Sequence, residues 1–330
     1  MITHDKEKFT EAINNIAAEA VRRIQCKDLQ LPPVRIRIKE DTTTFKLRAI
    51  GIEYPIHQIF DYIAVYSSME IFKHRMVKEQ CSSIPGRGQI YGLNMIKRFI
   101  MNDNQSREYA EKHNVPYDQK CKYFVKLDLE KCYPSADRDR FLELFKNDCG
   151  NEDILWLWQQ LLASHSVPLD NISVDDGLIT KTGLTRDELI LKTLPKIVDG
   201  FYGGFIIGAL PSQWACQYMI SFIYRYAKSL HDKRGNQCVK HMVLFMDDML
   251  LTGSNKSKLK TAVRSIIEYT ATELHWKMKC NWDVRSIDEF DIDMMGFVIM
   301  SDGSVKIRDR NFIHSRRLAI RFNRSGEINP

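Results

Sequence analysis

No two of the eight cysteines (Cys26, Cys81, Cys121, Cys132, Cys149, Cys216, Cys238 and Cys280) stand in C-x-x-C spacing. That spacing marks zinc knuckles and dithiol redox motifs, so neither is expected. No apolar run is long enough to cross a bilayer. The opening stretch MITHDKEKFTEA is polar and lacks the apolar centre of a secretory signal. Internal repeats and low-complexity tracts are missing, which excludes a repeat architecture. Together these absences predict a cytoplasmic protein with reduced, mostly buried thiols and no membrane partner.

What is present suits a soluble globular chain: 44% hydrophobic and 27% charged residues among 330. A chain of that length buries a sizeable core without staples, as one large domain or two to three subdomains. The formal net charge is +6, which permits a nucleic-acid partner without proving one.

The pattern along the chain mixes helices and strands. Ile13, Ile16, Ala17, Ala20 and Ile24 fall at helical spacing over 6–26. VRIRIKE and TFKLRAIGI alternate as two strands with EDTT as their turn, and their cations project from a small sheet. Residues 57–77 read as helix, with Ile59, Ile63, Ala64 and Met69 as its apolar stripe. CSSIPGRGQIYG is a glycine-rich loop around Arg87, followed by a helix at LNMIKRFIMNDN. Such a loop lets a backbone approach phosphates closely; a plain turn explains it equally well.

Apolar strands are expected at 123–129 and 242–251, with a largely helical region between, including 153–164 and 186–192. SVPLDNISVDDGLITKTG reads as a surface loop. From 301 to 330 there are seven Lys/Arg against three Asp/Glu. There Phe312, Ile313, Leu318, Ala319 and Phe322 share part of a helix surface and leave arginines outward. That helix is nucleic-acid-facing or simply solvated.

The chemistry lies in the acids. In KYFVKLDLEKCYPSAD, Tyr123, Val125 and Leu127 alternate with Phe124, Lys126 and Asp128. An acid ending an apolar strand is costly unless a cation pairs with it. In HMVLFMDDMLLTGS, apolar residues approach and leave Asp247 and Asp248, a hairpin with the acid pair at its tip. Adjacent carboxylates repel unless water or metal screens them. Hard divalent cations prefer carboxylate oxygens, and two such ions serve phosphoryl transfer. A lone Asp-Asp is more often a solvated turn; two apolar strands that both end in acids reverse that preference.

From about Phe45 to Ile307 the sequence resembles the reverse-transcriptase family, with motifs in the family's order. KLDLEKCYPSAD resembles its first palm motif and FMDD its second. IDMMGFVI resembles the hydrophobic grip on the primer, and KMKCNW the segment supplying a lysine near the leaving pyrophosphate. IIGALPSQW stands where most relatives carry Gln-Gly, three residues, then Ser-Pro. This variant is similar to enzymes of diversity-generating retroelements and of unclassified or defence-associated bacterial lineages.

The resemblance implies an α+β right-hand polymerase. N-terminal helix and fingers fall over 1–120, with a palm of antiparallel sheet backed by helices over 121–300, which includes a fingers-type helical segment at about 150–200. A basic thumb begins at 301–330. Only a short segment follows Ile307, so a short or incomplete thumb is expected. No RNase H domain, endonuclease domain or retron-like terminal signature is visible.

The implied activity is RNA-directed DNA synthesis with two Mg²⁺ ions, or Mn²⁺ as substitute. Asp128, Asp247 and Asp248 hold them, with Leu129 beside Asp128. Lys279 protonates pyrophosphate, with Lys277 as its rival. Lys46, Arg48 and Arg87 hold the triphosphate, Tyr133 is the steric gate, and Gly208, Ser212 and Gln213 lie beside the nucleotide. Met246, Gly296, Arg316 and Arg317 contact nucleic acid. The partners are an RNA template, a DNA product, deoxynucleotides and room for an accessory protein. Cys132 and Ala136 replace an aromatic and an isoleucine of many relatives. An RNA-templated RNA polymerase and a catalytically silent RNA-binding scaffold remain the alternatives.

Overall fold

The computed structural model describes residues 6–41 and 45–325, so the turn expected at EDTT falls partly on 42–44, outside the described residues. Helix α1 (Lys6–Gln25) opens the chain. Strands β1 (Arg35–Glu40) and β2 (Leu47–Ile52) form the expected antiparallel pair. Strand alternation sorts β1: Ile36 and Ile38 are buried, whereas Arg35, Arg37 and Lys39 are exposed.

The helix expected over 57–77 is two, α2 (Pro55–Ser67) and α3 (Met69–Arg75). Ser68 separates them. Its hydroxyl donates to the Ala64 carbonyl at 2.7 Å, competing with the helical ladder. Helix α4 (Gln89–His113) ends at Asn114, whose left-handed φ of 52° stops it. Next come β3 (Tyr123–Asp128), α5 (Cys132–Ser135), α6 (Arg138–Asp148) and α7 (Glu152–Ser164). Asp137 caps α6 by accepting from the Arg140 amide, and Asn151 caps α7 by accepting from Asp153 and Ile154.

The stretch read as a surface loop is structured. It holds β4 (Val167–Pro168), a 3-10 turn, β5 (Ile172–Val174) and α8 (Asp176–Thr182). Strand β5 pairs in parallel with β1, and Val167, Ile172 and Leu178 are buried. The apolar residues there come in short groups broken by polar ones, with no sustained helical or strand period, so tertiary pairing, not local pattern, creates the structure.

The remaining elements are α9 (Arg186–Thr193), β6 (Ile197–Val198), β7 (Phe201–Tyr202), α10 (Leu210–Ser229), β8 (His241–Phe245), β9 (Asp248–Gly253) and α11 (Lys256–Glu273). After them come β10 (Arg285–Ser286), β11 (Ile292–Met294), β12 (Phe297–Ile299), β13 (Val305–Ile307) and α12 (Asp309–Ser325). The fold is α+β, with short, mainly antiparallel sheets among helices.

Two compact units emerge, neither continuous in sequence. Unit 1 is Met1–Met76, Lys131–Ile220 and Leu274–Trp276. It holds the sheets β2-β1-β5 and β4-β7-β6. Its helical part packs Phe72, Phe141, Phe145, Trp158 and Tyr218 into an aromatic core, with the Trp158 indole donating to Ser68 Oγ at 2.8 Å.

Unit 2 is Val77–Glu130, Ser221–Glu273 and Lys277–Pro330. Its main sheet runs β10-β3-β9-β8, antiparallel throughout, with α4 packed on β8 and α11 on β9. Met249 to Gly253 are buried in succession, as a central strand requires. A second sheet, β11-β12-β13, shares the core through Ile292, Met294 and Ile299. Among the described residues no helix is long and apolar enough to cross a membrane.

Candidate active site

Unit 2 brings acids together through strand register. Asp128, the last residue of β3, lies opposite Asp248, the first of β9. Phe245 pairs with Asp248 across the hairpin, leaving Met246 and Asp247 as a two-residue turn. The turn is one residue earlier than expected: Asp247 is at the tip and Asp248 is already in the strand. Two-residue hairpin turns favour positive φ, and Met246 takes 54°, at a cost of about 1–2 kcal/mol for a side chain other than glycine.

One face of β3 changes character along its length. Phe124 is in the core, Lys126 is half-buried and Asp128 ends the row, opposite Thr252, Leu250 and Asp248 in turn. A cleft of about 250 Å³ follows this face, lined by Lys126, Asp128, Asp248, Lys279, Trp282 and Arg285 among others.

The segment carrying Lys279 is pinned by backbone. The Lys279 amide donates to the Asp128 carbonyl at 2.9 Å, and the Glu130 amide donates to the Lys277 carbonyl at 2.8 Å, around a Leu129–Met278 bridge. The Lys279 ammonium donates to Asp128 Oδ2. Asp128 Oδ1 is buried without a hydrogen-bond partner among the described residues. Lys277 instead pairs with Glu130 at 3.1 Å and is 72% exposed. Lys279 therefore meets Asp128, whereas Lys277 is drawn to Glu130.

Burial, and then the negative charge of Asp128, pushes the Asp247 carboxyl up to about 6. Asp248 is also raised by burial, against an opposing pull from Lys126. Oxygen donors, an orphaned carboxylate oxygen and mutual repulsion match what a hard divalent cation relieves. Among the described residues, however, no group of three or more His, Cys, Asp or Glu side chains is arranged to hold one metal ion. Common ligation by Asp128, Asp247 and Asp248 therefore requires side-chain rotation, with Lys279 leaving Asp128.

Other expected site residues of unit 2 are spread more widely. Arg87 donates to the Val77 carbonyl at 2.5 Å and the Gln80 carbonyl at 3.0 Å, which organises its own loop. Met246 Sδ accepts from Ser83 Oγ at 3.5 Å. Gly296 holds the β11–β12 turn at φ 85°, where a Cβ would meet Asn311 Nδ2 at 2.6 Å. Arg316 and Arg317 are exposed on α12.

In unit 1, Lys46 is exposed, and Arg48 Nε donates to Asp41 Oδ2 at 2.9 Å. Tyr133 is half-buried in α5. Gly208, at φ 108°, follows a parallel bridge between Ile50 and Ile207. Ser212 is fully buried, and its hydroxyl accepts from the Ile206 amide at 3.2 Å. Gln213 is half-buried on α10.

Two groups escaped the sequence reading. Lys126 lies two residues before Asp128 on the same face, a cation in an otherwise apolar strand; that alternation was the available signal. Unit 1 also buries Glu53, Asp61 and His165. Glu53 Oε1, both Asp61 oxygens and both His165 ring nitrogens lack hydrogen-bond partners among the described residues. His165 Nε2 lies 3.8 Å from Glu53 Oε1. Nothing in the sequence pattern links these three residues.

No protein-family model and no curated relative matches the chain. Among solved structures it is similar to apo telomerase from Candida tropicalis truncated from its C-terminal domain. That match has 13% identity over 84% of this chain and 56% of that chain, with a TM-score of 0.48. It is also similar to telomerase from Candida albicans in complex with a TWJ fragment of telomeric RNA. There the identity is 14% over 86% of this chain and 46% of that chain, with a TM-score of 0.47. The chain spans about half the length of the telomerase chains it matches.

Proposed function

We propose that this chain is an RNA-templated DNA polymerase of the reverse-transcriptase type. The observation that carries the reading is the β3–β9 register, which sets Asp128 against Asp248 with Asp247 in the adjoining turn. In this reading Asp128, Asp247 and Asp248 hold two Mg²⁺ ions, or Mn²⁺ in their place, with Leu129 beside them. When bound, the ions supply activation of the attacking hydroxyl and charge neutralisation on the leaving oxygens.

The chain's own side chains do the remaining work. Lys279, once off Asp128, delivers a proton to the departing pyrophosphate. Tyr133 packs under the incoming sugar and leaves no room for a 2′-hydroxyl. Lys46, Arg48 and Arg87 hold the triphosphate, and Gly208, Ser212 and Gln213 flank the nucleotide. Met246, Gly296, Arg316 and Arg317 track the primer–template, chiefly through its phosphates. In this reading residues 1–120 supply the N-terminal helix and fingers, 121–300 the palm with a fingers-type helical segment over about 150–200, and 301–330 the start of a thumb. The template is an RNA, the product DNA, and the biological setting a bacterial retroelement or an anti-phage system, with room for an accessory protein.

A second reading has its own support. Lys279 occupies Asp128, and no three-acid ion group exists among the described residues. Both facts suit a catalytically silent RNA-binding scaffold of polymerase shape. Primer extension on an RNA template with Mg²⁺, comparing deoxy- and ribonucleotides, separates the readings. Deoxynucleotide incorporation that disappears in an Asp247→Ala, Asp248→Ala double variant supports the polymerase. Retained RNA binding without synthesis under any primer condition supports the scaffold, and a preference for ribonucleotides supports an RNA polymerase.

A further inference from the structure

Lys126 has no part in the chemistry above, yet it stands on the face that carries the acids. Its charge pulls on Asp248, yet its ammonium makes its hydrogen bond elsewhere. It donates at 2.5 Å to the backbone carbonyl of Asp293 in β11. The Asp293 side chain binds a second cation: Arg308 Nε donates to Oδ1 at 2.7 Å, and a terminal guanidinium nitrogen donates to the same oxygen.

Arg308 is the residue before α12. Its carbonyl accepts from the Asn311 and Phe312 amides at 2.9 and 3.1 Å, and its own amide donates to Gly296 in the β11–β12 turn at 2.9 Å. Asp293 thus ties together the strand of Asp128, the hairpin of Gly296 and the root of the basic helix.

Stability does not account for this arrangement. The Arg308–Asp293 pair is 39% and 52% exposed, and pairs of that kind contribute little. The hairpin is already anchored by Ile292, Met294 and Ile299 in the core. Immobilising a lysine for one carbonyl carries an entropic cost that an apolar residue on β3 avoids.

We propose that Lys126, Asp293 and Arg308 form a positioning relay between the β11–β12 hairpin with its following helix and the turn that carries Asp247. The ligand that engages the relay is the end of a primer–template duplex, an identification that rests on the polymerase reading. Seating the duplex on the hairpin and helix restrains Asp293, and Lys126 passes that restraint to β3, whose last residue pairs with Asp248. Lys126 itself touches no substrate.

Hydrogen exchange over residues 244–250 tests the relay without requiring synthesis. An RNA–DNA primer–template is added to wild type, Lys126→Met, Lys126→Arg, Arg308→Met and the Lys126→Met, Arg308→Met double variant. Fluorescence anisotropy gives each duplex affinity. The expected result is duplex-dependent slowing in wild type and Lys126→Arg, and its loss in both Met variants. Affinity stays within about twofold for Lys126→Met, and the double variant behaves like either single one, as members of one network do. Slowing retained in Lys126→Met, no slowing in wild type, or losses that add in the double variant overturn the relay. Slowing in wild type without nucleotide incorporation removes the polymerase reading and leaves the relay standing. Incorporation together with unchanged slowing in Lys126→Met does the reverse.

Discussion

Lys279 is joined to Asp128 twice, by its amide to the main-chain carbonyl at 2.9 Å and by its ammonium to the carboxylate. The backbone bond holds the residue in place whatever its side chain does. Substitution therefore tests the ammonium alone. Lys279→Met is expected to slow single-turnover nucleotide incorporation by about 10²-fold, the scale of a lost general acid. Lys277→Met, which removes a lysine paired with Glu130, is expected to stay close to wild type. Rapid-quench kinetics on one primer–template checks both.

Burial and the charge of Asp128 both disfavour the ionised form of Asp247. Asp247→Asn removes that repulsion and keeps the shape. Thermal unfolding in chelator-treated buffer is expected to show a gain of about 1 kcal/mol, while synthesis disappears. A variant that loses both stability and activity argues instead that the carboxylate is structural.

Asp61 gives a pH signature remote from synthesis. Burial, and then the neighbouring Glu53 carboxylate, raises its carboxyl well above the ordinary carboxylate range. The folded state therefore holds this proton more tightly than the unfolded chain does. The contribution to stability is fully present below about pH 4 and is lost as pH rises towards the folded value. Asp61→Asn is expected to flatten that decline and to stabilise the protein at pH 8 by about 1–3 kcal/mol. Melting temperatures of the two proteins from pH 5 to 9 measure the difference.

Tyr133 carries the choice of sugar in the proposed reaction. Tyr133→Ala is expected to reduce discrimination against ribonucleotides roughly 10–200-fold, the range expected when a pocket is opened by a small group. The ratio of kcat/KM values for matched deoxy- and ribonucleotides gives the answer. An unchanged ratio removes the gate from this residue.

The readable parts of the sequence were those where local pattern and tertiary role agree. Apolar runs flanking Asp128 and Asp247 announced β3 and the β8–β9 hairpin, because strands buried on both faces leave uninterrupted hydrophobic residues. Alternation in RIRIK announced β1 for the complementary reason, because only one of its faces is buried. The stretch 166–183 was opaque, since Ile172 is buried only because β1 lies beside it. In sequence Lys279 had Lys277 as a close rival; the Leu129–Met278 bridge separates them. The Lys126 contact joins residues 167 positions apart, beyond any local signal.

Unit 1 is finished by Leu274–Trp276, a scrap of chain far from its other two stretches. Trp276 is 1% exposed, and its indole donates to the Cys132 carbonyl at 2.9 Å. Growing from the ribosome, unit 1 begins first yet cannot close until this scrap has emerged. Domain-by-domain folding during synthesis leaves unit 1 open while two of the three stretches of unit 2 go by. A chimaera spliced at a single crossover shortly ahead of Leu274 builds unit 1 from two parents.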